Sequence, residues 1–276
     1  MILFIVALLL IASRDEAAAQ LTYTFSDYAS LLAAQKQGAF NASAPIVVIL
    51  NPGTYFLSEV IAFTAPSLEF RGLAAELVCD GSGSALQLNV PGSVMLLGLS
   101  ISYCGGGSPA LMIDTASNVT LDGLSFRSNS AGALSIVSDR ASDITLSSCI
   151  FDSNSLSSAK AINTHAAFIS MSQGTLTMQL VTFSGNGIRS SEANDASVML
   201  ITCHGVQASS CLLFASNSTW RGNAAGSISP VANIQVPLSV HSLEGPRVSS
   251  ESQYIHHHIL YTISEPHDTM LRAMDT

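Results

Sequence analysis

The chain has 276 residues, of which 48% are hydrophobic and 11% are charged, and its formal net charge at pH 7 is −9. An acidic surface does not attract nucleic acid or an anionic membrane, so the charge argues against both as partners. It also argues against a polyanionic polysaccharide, unless calcium ions bridge the two molecules. A sparsely charged surface of hydroxyl and amide groups suits an extracellular protein.

The amino-terminal segment is apolar over residues 2–12. This run is too short to span a bilayer and is typical of the core of a signal peptide. Ala17, Ala18 and Ala19 supply a small-residue cleavage site before Gln20. We therefore expect residues 1–19 to be a signal peptide and the mature protein to be secreted or displayed at the cell surface, with no membrane span after cleavage. A buried N-terminal strand or helix is the alternative.

Residues 20–44 are predicted to cover one end of the fold. Ser26 or Asp27 can cap a helix that runs from Tyr28 to Gly38. The end of a stack of strands exposes unpaired backbone groups and needs a cover. We expect this short helix to be that N-terminal cap.

A repeated apolar row dominates residues 45–229. Within a row the apolar residues stand at offsets 0, 2, 5 and 7, and a further recurring residue stands at offset 10. The clearest row is Val119, Leu121, Leu124, Phe126 and Asn129. Equivalent rows begin at Val94, Ile144, Leu176 and Leu213. Self-similarity at a spacing of about 20–50 residues is typical of stacked repeats.

The spacing inside each row indicates strands. Alternate residues share one face of a strand, and the extra residue between the two pairs marks a corner, as at Asp122-Gly123. A further strand precedes three of the rows, at Ala85, Ala110 and Ala133. Each repeat thus has two or three short strands, and stacking the repeats in parallel gives an all-β parallel β-helix, a solenoid.

The residue at offset 10 is predicted to form a structural ladder. Four rows place asparagine there: Asn129, Asn154, Asn186 and Asn223. Asparagine tolerates a left-handed backbone at a tight corner, and stacked asparagine side chains can hydrogen-bond to one another.

The five cysteines are predicted to include one disulfide between repeats. Cys79 and Cys104 stand one repeat apart, and strands stacked at about 4.8 Å bring their Cα atoms within disulfide range. Cys203 and Cys211 could close a short loop. For both pairs, unpaired small apolar residues are the alternative. Cys149 replaces an inward leucine and is expected to be a buried free thiol.

Two families share motifs with this chain. The Phe-x-x-Asn units at Phe126, Phe151 and Phe183 resemble the repeats of polymorphic outer-membrane proteins, although the glycines that accompany those units are mostly absent here. The segment Val47–Tyr55, followed by Asn-Val-Thr-Leu and Asp-Ile-Thr-Leu, resembles pectin-lyase-like proteins. The resemblance covers roughly residues 45–225 and implies a right-handed parallel β-helix.

The same resemblance raises the possibility of a polysaccharide lyase. Such an enzyme needs acidic residues around calcium and a basic residue that abstracts a proton. The candidates are Asp114, Asp139, Asp143, Arg127 and Arg140. The same residues can be explained without a catalytic role. The aspartates would then be solvated carboxylates at corners, and Arg127 would form a surface ion pair with Asp152. His204 is a fragment of the polygalacturonase histidine motif, and the histidines at 241, 256–258 and 267 would need a special loop to bind a metal.

The repeat pattern fails after Pro230. Residues 230–276 are predicted to be an irregular or disordered tail, since Pro237, Pro246 and Pro266 interrupt them. The abrupt change also motivates the hypothesis that the chain is a fragment of a longer surface protein. Three sequons, at Asn41, Asn118 and Asn217, are candidate glycosylation sites.

The sequence favours a secreted, non-catalytic module for adhesion, glycan binding or surface structure. Its expected partners are glycans or cell-surface components, and no cofactor is expected, with calcium as the alternative. The alternative is a calcium-assisted polysaccharide lyase or another carbohydrate-active enzyme, so enzymatic activity stays open. The oligomeric state does not follow from the sequence.

Overall fold

A computed structural model describes residues 19–81, 83–154, 165–187, 198–203 and 211–223, together with the backbone of four later strands. The predicted signal peptide (up to residue 18), His204 and the histidines at 241, 256–258 and 267 lie outside the described residues. The described elements are β1 (Leu21–Phe25), α1 (Tyr28–Lys36), β2 (Ile46–Leu50), β3 (Gly53–Leu57), β4 (Ile61–Thr64), β5 (Leu68–Cys79), β6 (Leu86–Asn89), β7 (Ser93–Ser102), β8 (Leu111–Asp114), β9 (Asn118–Asp122), β10 (Ser125–Arg127), β11 (Leu134–Ser147), β12 (Ile150–Asp152), β13 (Ala167–Gln179), β14 (Thr182–Ser184), β15 (Met199–Cys203), β16 (Cys211–Ser216), β17 (Thr219–Arg221), β18 (Ala232–Gln235), β19 (Arg247–Val248), β20 (Leu260–Ser264) and β21 (Thr269–Arg272).

The strands pair in three parallel ladders. Ladder 1 joins β1, β2, the first part of β5, the first part of β7, β9, the second parts of β11 and β13, and β16. Ladder 2 joins β3, the ends of β5 and β7, then β10, β12, β14, β17 and β19. Ladder 3 joins β4, β6, β8, the starts of β11 and β13, then β15, β18 and β20. Among the described strands, the pairing of β20 with β21 is antiparallel.

The register confirms the rows predicted from the sequence. Val94 pairs with Val119, Val119 with Ile144, Ile144 with Leu176, and Leu176 with Leu213. The fold is therefore nearly all β, with parallel strands paired one repeat apart. This arrangement is compatible with a solenoid.

Two columns of left-handed residues make the corners on either side of ladder 2. The first column, at the entry to the short strand, is Ala74, Gly98, Gly123, Ser148, Leu180 and Asn217, with φ between 51° and 65°. The second column, at the exit, is Tyr103, Ser128, Ser153, Gly185 and Gly222, with φ between 54° and 60°. A positive φ at one residue bends the chain sharply, and glycine adopts it without a steric penalty. The corners therefore recur at the same place in each repeat.

An aromatic stack fills the core behind ladder 2. The ring centroids of Phe126 and Phe151 are 4.9 Å apart, those of Phe151 and Phe183 are 4.6 Å apart, and those of Phe183 and Trp220 are 4.2 Å apart. The three phenylalanines are fully buried. The stack follows from the register, because offset 7 of each row lies directly above its copy in the next row.

The asparagine ladder runs beside this stack. The backbone nitrogen and Nδ2 of Asn129 both donate to Oδ1 of Asn154. The same two groups of Asn154 donate to Oδ1 of Asn186, and those of Asn186 donate to Oδ1 of Asn223. Each Nδ2 also reaches a backbone carbonyl of an earlier repeat, such as Phe126 for Asn154. The side chains thus satisfy buried backbone groups where the corner interrupts ladder pairing.

The helix lies at the start of the fold, where it contacts β1, β3 and β4, and its role as a cap stays a prediction. Asp27, rather than Ser26, is its N-cap and accepts a hydrogen bond from the Ser30 backbone nitrogen at 2.7 Å. Leu31 is fully buried against the first repeats. The Gln35 amide accepts from the Ala62 nitrogen at 2.9 Å and donates to the Val60 carbonyl at 3.0 Å, so it satisfies backbone groups at the edge of β4.

Two boundaries differ from the sequence prediction. The strand β1 lies inside the region predicted as a cap and already pairs in parallel with β2, so ladder 1 begins ahead of residue 45. Within residues 230–276, predicted to be irregular, the structure describes the four strands β18 to β21. The described residues contain no helix that is long and apolar enough to cross a membrane.

Candidate functional site

A groove of about 320 Å³ lies on the outer side of ladder 2. The lining residues are Ala74, Ala75, Glu76, Gly98, Leu99, Ser100, Gly123, Ser125 and Arg127. They come from the second halves of β5 and β7, from β10, and from the corner residue Gly123, which lies just before β10. Strands of one ladder are about 4.8 Å apart, so the groove extends roughly 10 Å along the stack.

Two glycines at the same corner of neighbouring repeats line the groove. Gly98 and Gly123 occupy the first corner column with φ of 64° and 65°, where later repeats carry Ser148 and Leu180. A methyl group on Gly98 would come within 2.7 Å of the Leu73 Cδ2 atom. A methyl group on Gly123 would project toward Gly98, whose Cα atom would be 3.7 Å away. The absence of a side chain at Gly98 thus lets the Leu73 side chain pack closely against this corner.

The polar groups of the groove are arranged by strand register. Glu76 pairs with Ser100, and Ser100 with Ser125, so their side chains project from the same side of ladder 2. Arg127 follows two residues after Ser125 and shares that side. Opposite charges thus lie two strands apart, with two serine hydroxyls between them.

Hydrogen bonds hold the two charged side chains. Oε1 of Glu76 accepts from the hydroxyl of Ser102 at 2.9 Å. Nε of Arg127 donates to the hydroxyl of Ser125 at 3.0 Å. A guanidinium group has five N–H donors in a planar fork, so this bond leaves the outer donors of Arg127 directed to solvent, where its side chain is exposed. The groove offers acceptors at one end and donors at the other.

The three acidic candidates lie in β8 and β11. Asp114 ends β8 in ladder 3, Asp139 lies in the bulge of β11 where the register shifts between Ser138 and Ala141, and Asp143 is in ladder 1. In the described part of the chain, no three carboxylate, imidazole or thiol side chains are placed to hold a metal ion. A catalytic or calcium-binding role for Asp114, Asp139 and Asp143 stays a prediction. Burial raises the pKa of Asp114 above its usual value.

The two candidate arginines lie in different parts of the fold. Arg127 belongs to the groove, whereas Arg140 is exposed in the bulge beside Asp139. Arg127 and Asp152 are neighbours in register, as predicted. The surface ion pair expected between them is not found: the ion pairs among the described residues are Lys36–Glu59 and Arg71–Glu69. Asp152 instead accepts from the hydroxyl of Ser184.

The cysteines agree with the predicted pairing. Cys79 and Cys104 form a disulfide with Cα atoms 4.8 Å apart, and Cys203 and Cys211 form a second one. Cys149 is free and buried, and burial raises the pKa of its thiol to about 11. The three sequon asparagines, Asn41, Asn118 and Asn217, are exposed, and their glycosylation stays a prediction.

Comparison with known proteins gives no relative for this chain. Neither a model of a protein family, nor a curated protein, nor a solved structure matches it. The motifs shared with pectin-lyase-like proteins and with polymorphic outer-membrane proteins therefore establish no family for this chain.

Sequence reasoning singled out one residue of the groove, Arg127, and missed Glu76, Ser100 and Ser125. The signal was present in the spacing. Gly98 and Gly123 stand at the same offset in consecutive rows, each two residues before one of the serines. Glycine in a strand often marks a place where another chain segment or a ligand approaches the backbone closely.

Proposed function

We propose that the chain is a secreted, right-handed parallel β-helix that binds neutral oligosaccharides in the groove of ladder 2, as an adhesion or surface module. The handedness follows from the resemblance to pectin-lyase-like proteins, and secretion from the N-terminal apolar run. The binding function depends on one observation: the groove presents Glu76, Arg127 and two serine hydroxyls from three aligned strands.

This polar set suits a sugar. Each sugar hydroxyl is both a donor and an acceptor, so it can donate to the carboxylate of Glu76 or accept from the guanidinium of Arg127. The serines can serve in either direction. A few convergent polar groups in a concave surface are typical of small-molecule sites.

The charge favours a neutral saccharide over an acidic one. The chain carries a net charge of −9, and Glu76 lies inside the groove. A uronic acid oligomer would gain a contact at Arg127 but would meet repulsion from the rest of the surface. A neutral oligosaccharide meets no such repulsion, and its affinity should depend little on ionic strength.

Calorimetric titration with neutral and acidic trisaccharides tests this proposal. Arg127→Ala and Glu76→Gln should each weaken binding of the neutral sugar by tenfold or more, since each removes a charge-assisted hydrogen bond worth about 1.4 kcal/mol or more. Arg140→Ala is the matched control, because Arg140 is an exposed arginine of the bulge in β11. Equal losses in Arg127→Ala and Arg140→Ala would refute a site in the groove.

A further inference from the structure

Tyr103 has a backbone conformation and a solvent exposure that are both unfavourable for a tyrosine. It is in the second corner column, with φ of 58°, where the other repeats carry Ser128, Ser153, Gly185 and Gly222. A left-handed backbone is uncommon for bulky side chains and costs about 1 kcal/mol or more. The side chain is also 57% exposed. Neither backbone preference nor burial therefore accounts for a tyrosine here.

Tyr103 lies beside the groove. Its backbone nitrogen donates to the carbonyl of Arg127 at 3.2 Å. The preceding residue, Ser102, donates its hydroxyl to Glu76. The same strand, β7, also contributes Ser100 to the lining. The backbone of Tyr103 is thus fixed next to both charged ends of the groove.

We infer that Tyr103 packs against a ring of the oligosaccharide bound in the groove and thereby increases its affinity. This inference rests on the proposed saccharide function of the groove. A pyranose ring has one face of C–H groups, which is apolar and carries partial positive charge, and the face of an aromatic ring carries partial negative charge. The ligand class is the neutral oligosaccharide of the proposed function, with a chain long enough to extend from the groove to the exit corner of β7.

Packing against a sugar ring would explain why a tyrosine occupies an exposed corner with a positive φ. An exposed tyrosine gains contact area only when a ligand covers it, and it loses little conformational freedom because it has two rotatable side-chain bonds. The left-handed corner holds its backbone in one conformation before the ligand arrives. Glycine or serine, as found in the other repeats, would satisfy the corner but would supply no surface for a sugar ring.

The test compares Tyr103→Gly, Tyr103→Phe and Leu180→Gly in the full chain. Leu180 is the matched control, since it is an exposed side chain, 53% accessible, in the other corner column with φ of 56°. Both glycine variants should keep or raise the melting temperature, because glycine accepts a positive φ. Tyr103→Gly should weaken cellotriose binding at least tenfold, whereas Tyr103→Phe and Leu180→Gly should stay within threefold of the parent protein.

An NMR readout separates ring packing from a general effect on folding. In the parent protein, protons on one face of a cellotriose ring should shift upfield on binding, and the shift should vanish in Tyr103→Gly but persist in Tyr103→Phe. Unchanged affinity in Tyr103→Gly, together with a loss in Arg127→Ala, would overturn the role of Tyr103 and leave the groove function standing. Failure of the parent protein to bind cellotriose, or binding of trigalacturonate alone, would overturn the role of Tyr103 in neutral-sugar recognition.

Discussion

Replacing Asn154 by alanine tests the asparagine ladder at its centre. The side chain is fully buried and takes part in four hydrogen bonds. Its Oδ1 atom accepts from the backbone nitrogen and from Nδ2 of Asn129. Its Nδ2 atom donates to Oδ1 of Asn186 and to the carbonyl of Phe126. Alanine removes all four bonds and supplies no replacement.

The magnitude follows from which partners lose their bonds. The backbone nitrogen of Asn129 loses its described acceptor in a site without water access, which costs about 1–3 kcal/mol. The Nδ2 atom of Asn129 retains the Ile101 carbonyl at 3.3 Å, and Oδ1 of Asn186 retains the Asn154 backbone nitrogen at 3.0 Å. These retained bonds limit the loss, so we expect a decrease in the free energy of unfolding of about 2–4 kcal/mol.

Equilibrium unfolding in urea, followed by circular dichroism, measures this decrease, and calorimetry should show a drop in melting temperature of roughly 4–16 °C. Asn118→Ala is the control, because Asn118 is an exposed asparagine in β9 and its loss should stay within about 0.5 kcal/mol. Equal effects of the two substitutions would refute the reasoning, since the ladder would then contribute no more than a surface side chain.

Three further predictions concern single side chains. Phe151→Ala should lower the free energy of unfolding by about 3–5 kcal/mol, since it removes the ring between Phe126 and Phe183, and urea unfolding with exposed Phe56→Ala as control checks this. Cys149 should resist a thiol reagent at pH 8 and react in denaturant, because burial raises its pKa to about 11; rapid labelling of the native protein would contradict this. Burial also raises the pKa of Asp114, so ionisation of this carboxyl destabilises the fold as the pH rises through the usual Asp range. Asp114→Asn should therefore raise the melting temperature at pH 7 but not at about pH 2.5. An equal gain at both pH values would show that ionisation of Asp114 is not the cause.

The rows of the fold could be predicted because each inward position repeats. Val119 and Ile144 occupy the same offset, and a shift of one residue would turn both outward, so the apolar pattern specifies the register. The asparagine ladder followed from the same spacing. By contrast, β1 shows no row of its own, since Leu21, Tyr23 and Phe25 alternate over one short segment. A single alternation does not identify the strand that it pairs with.

The groove could not be predicted by the same logic, because it depends on departures from the repeat. Inward positions constrain one another through packing, so their types recur. Outward positions have no such constraint, and one register of ladder 2 contains Glu76, two serines (Ser100 and Ser125) and Ile150. In a stacked fold, then, a binding site is to be sought where outward residues and corner residues differ from their copies in neighbouring repeats. By that criterion Gly98 and Gly123 in one corner column and Tyr103 in the other mark the same stretch of ladder 2.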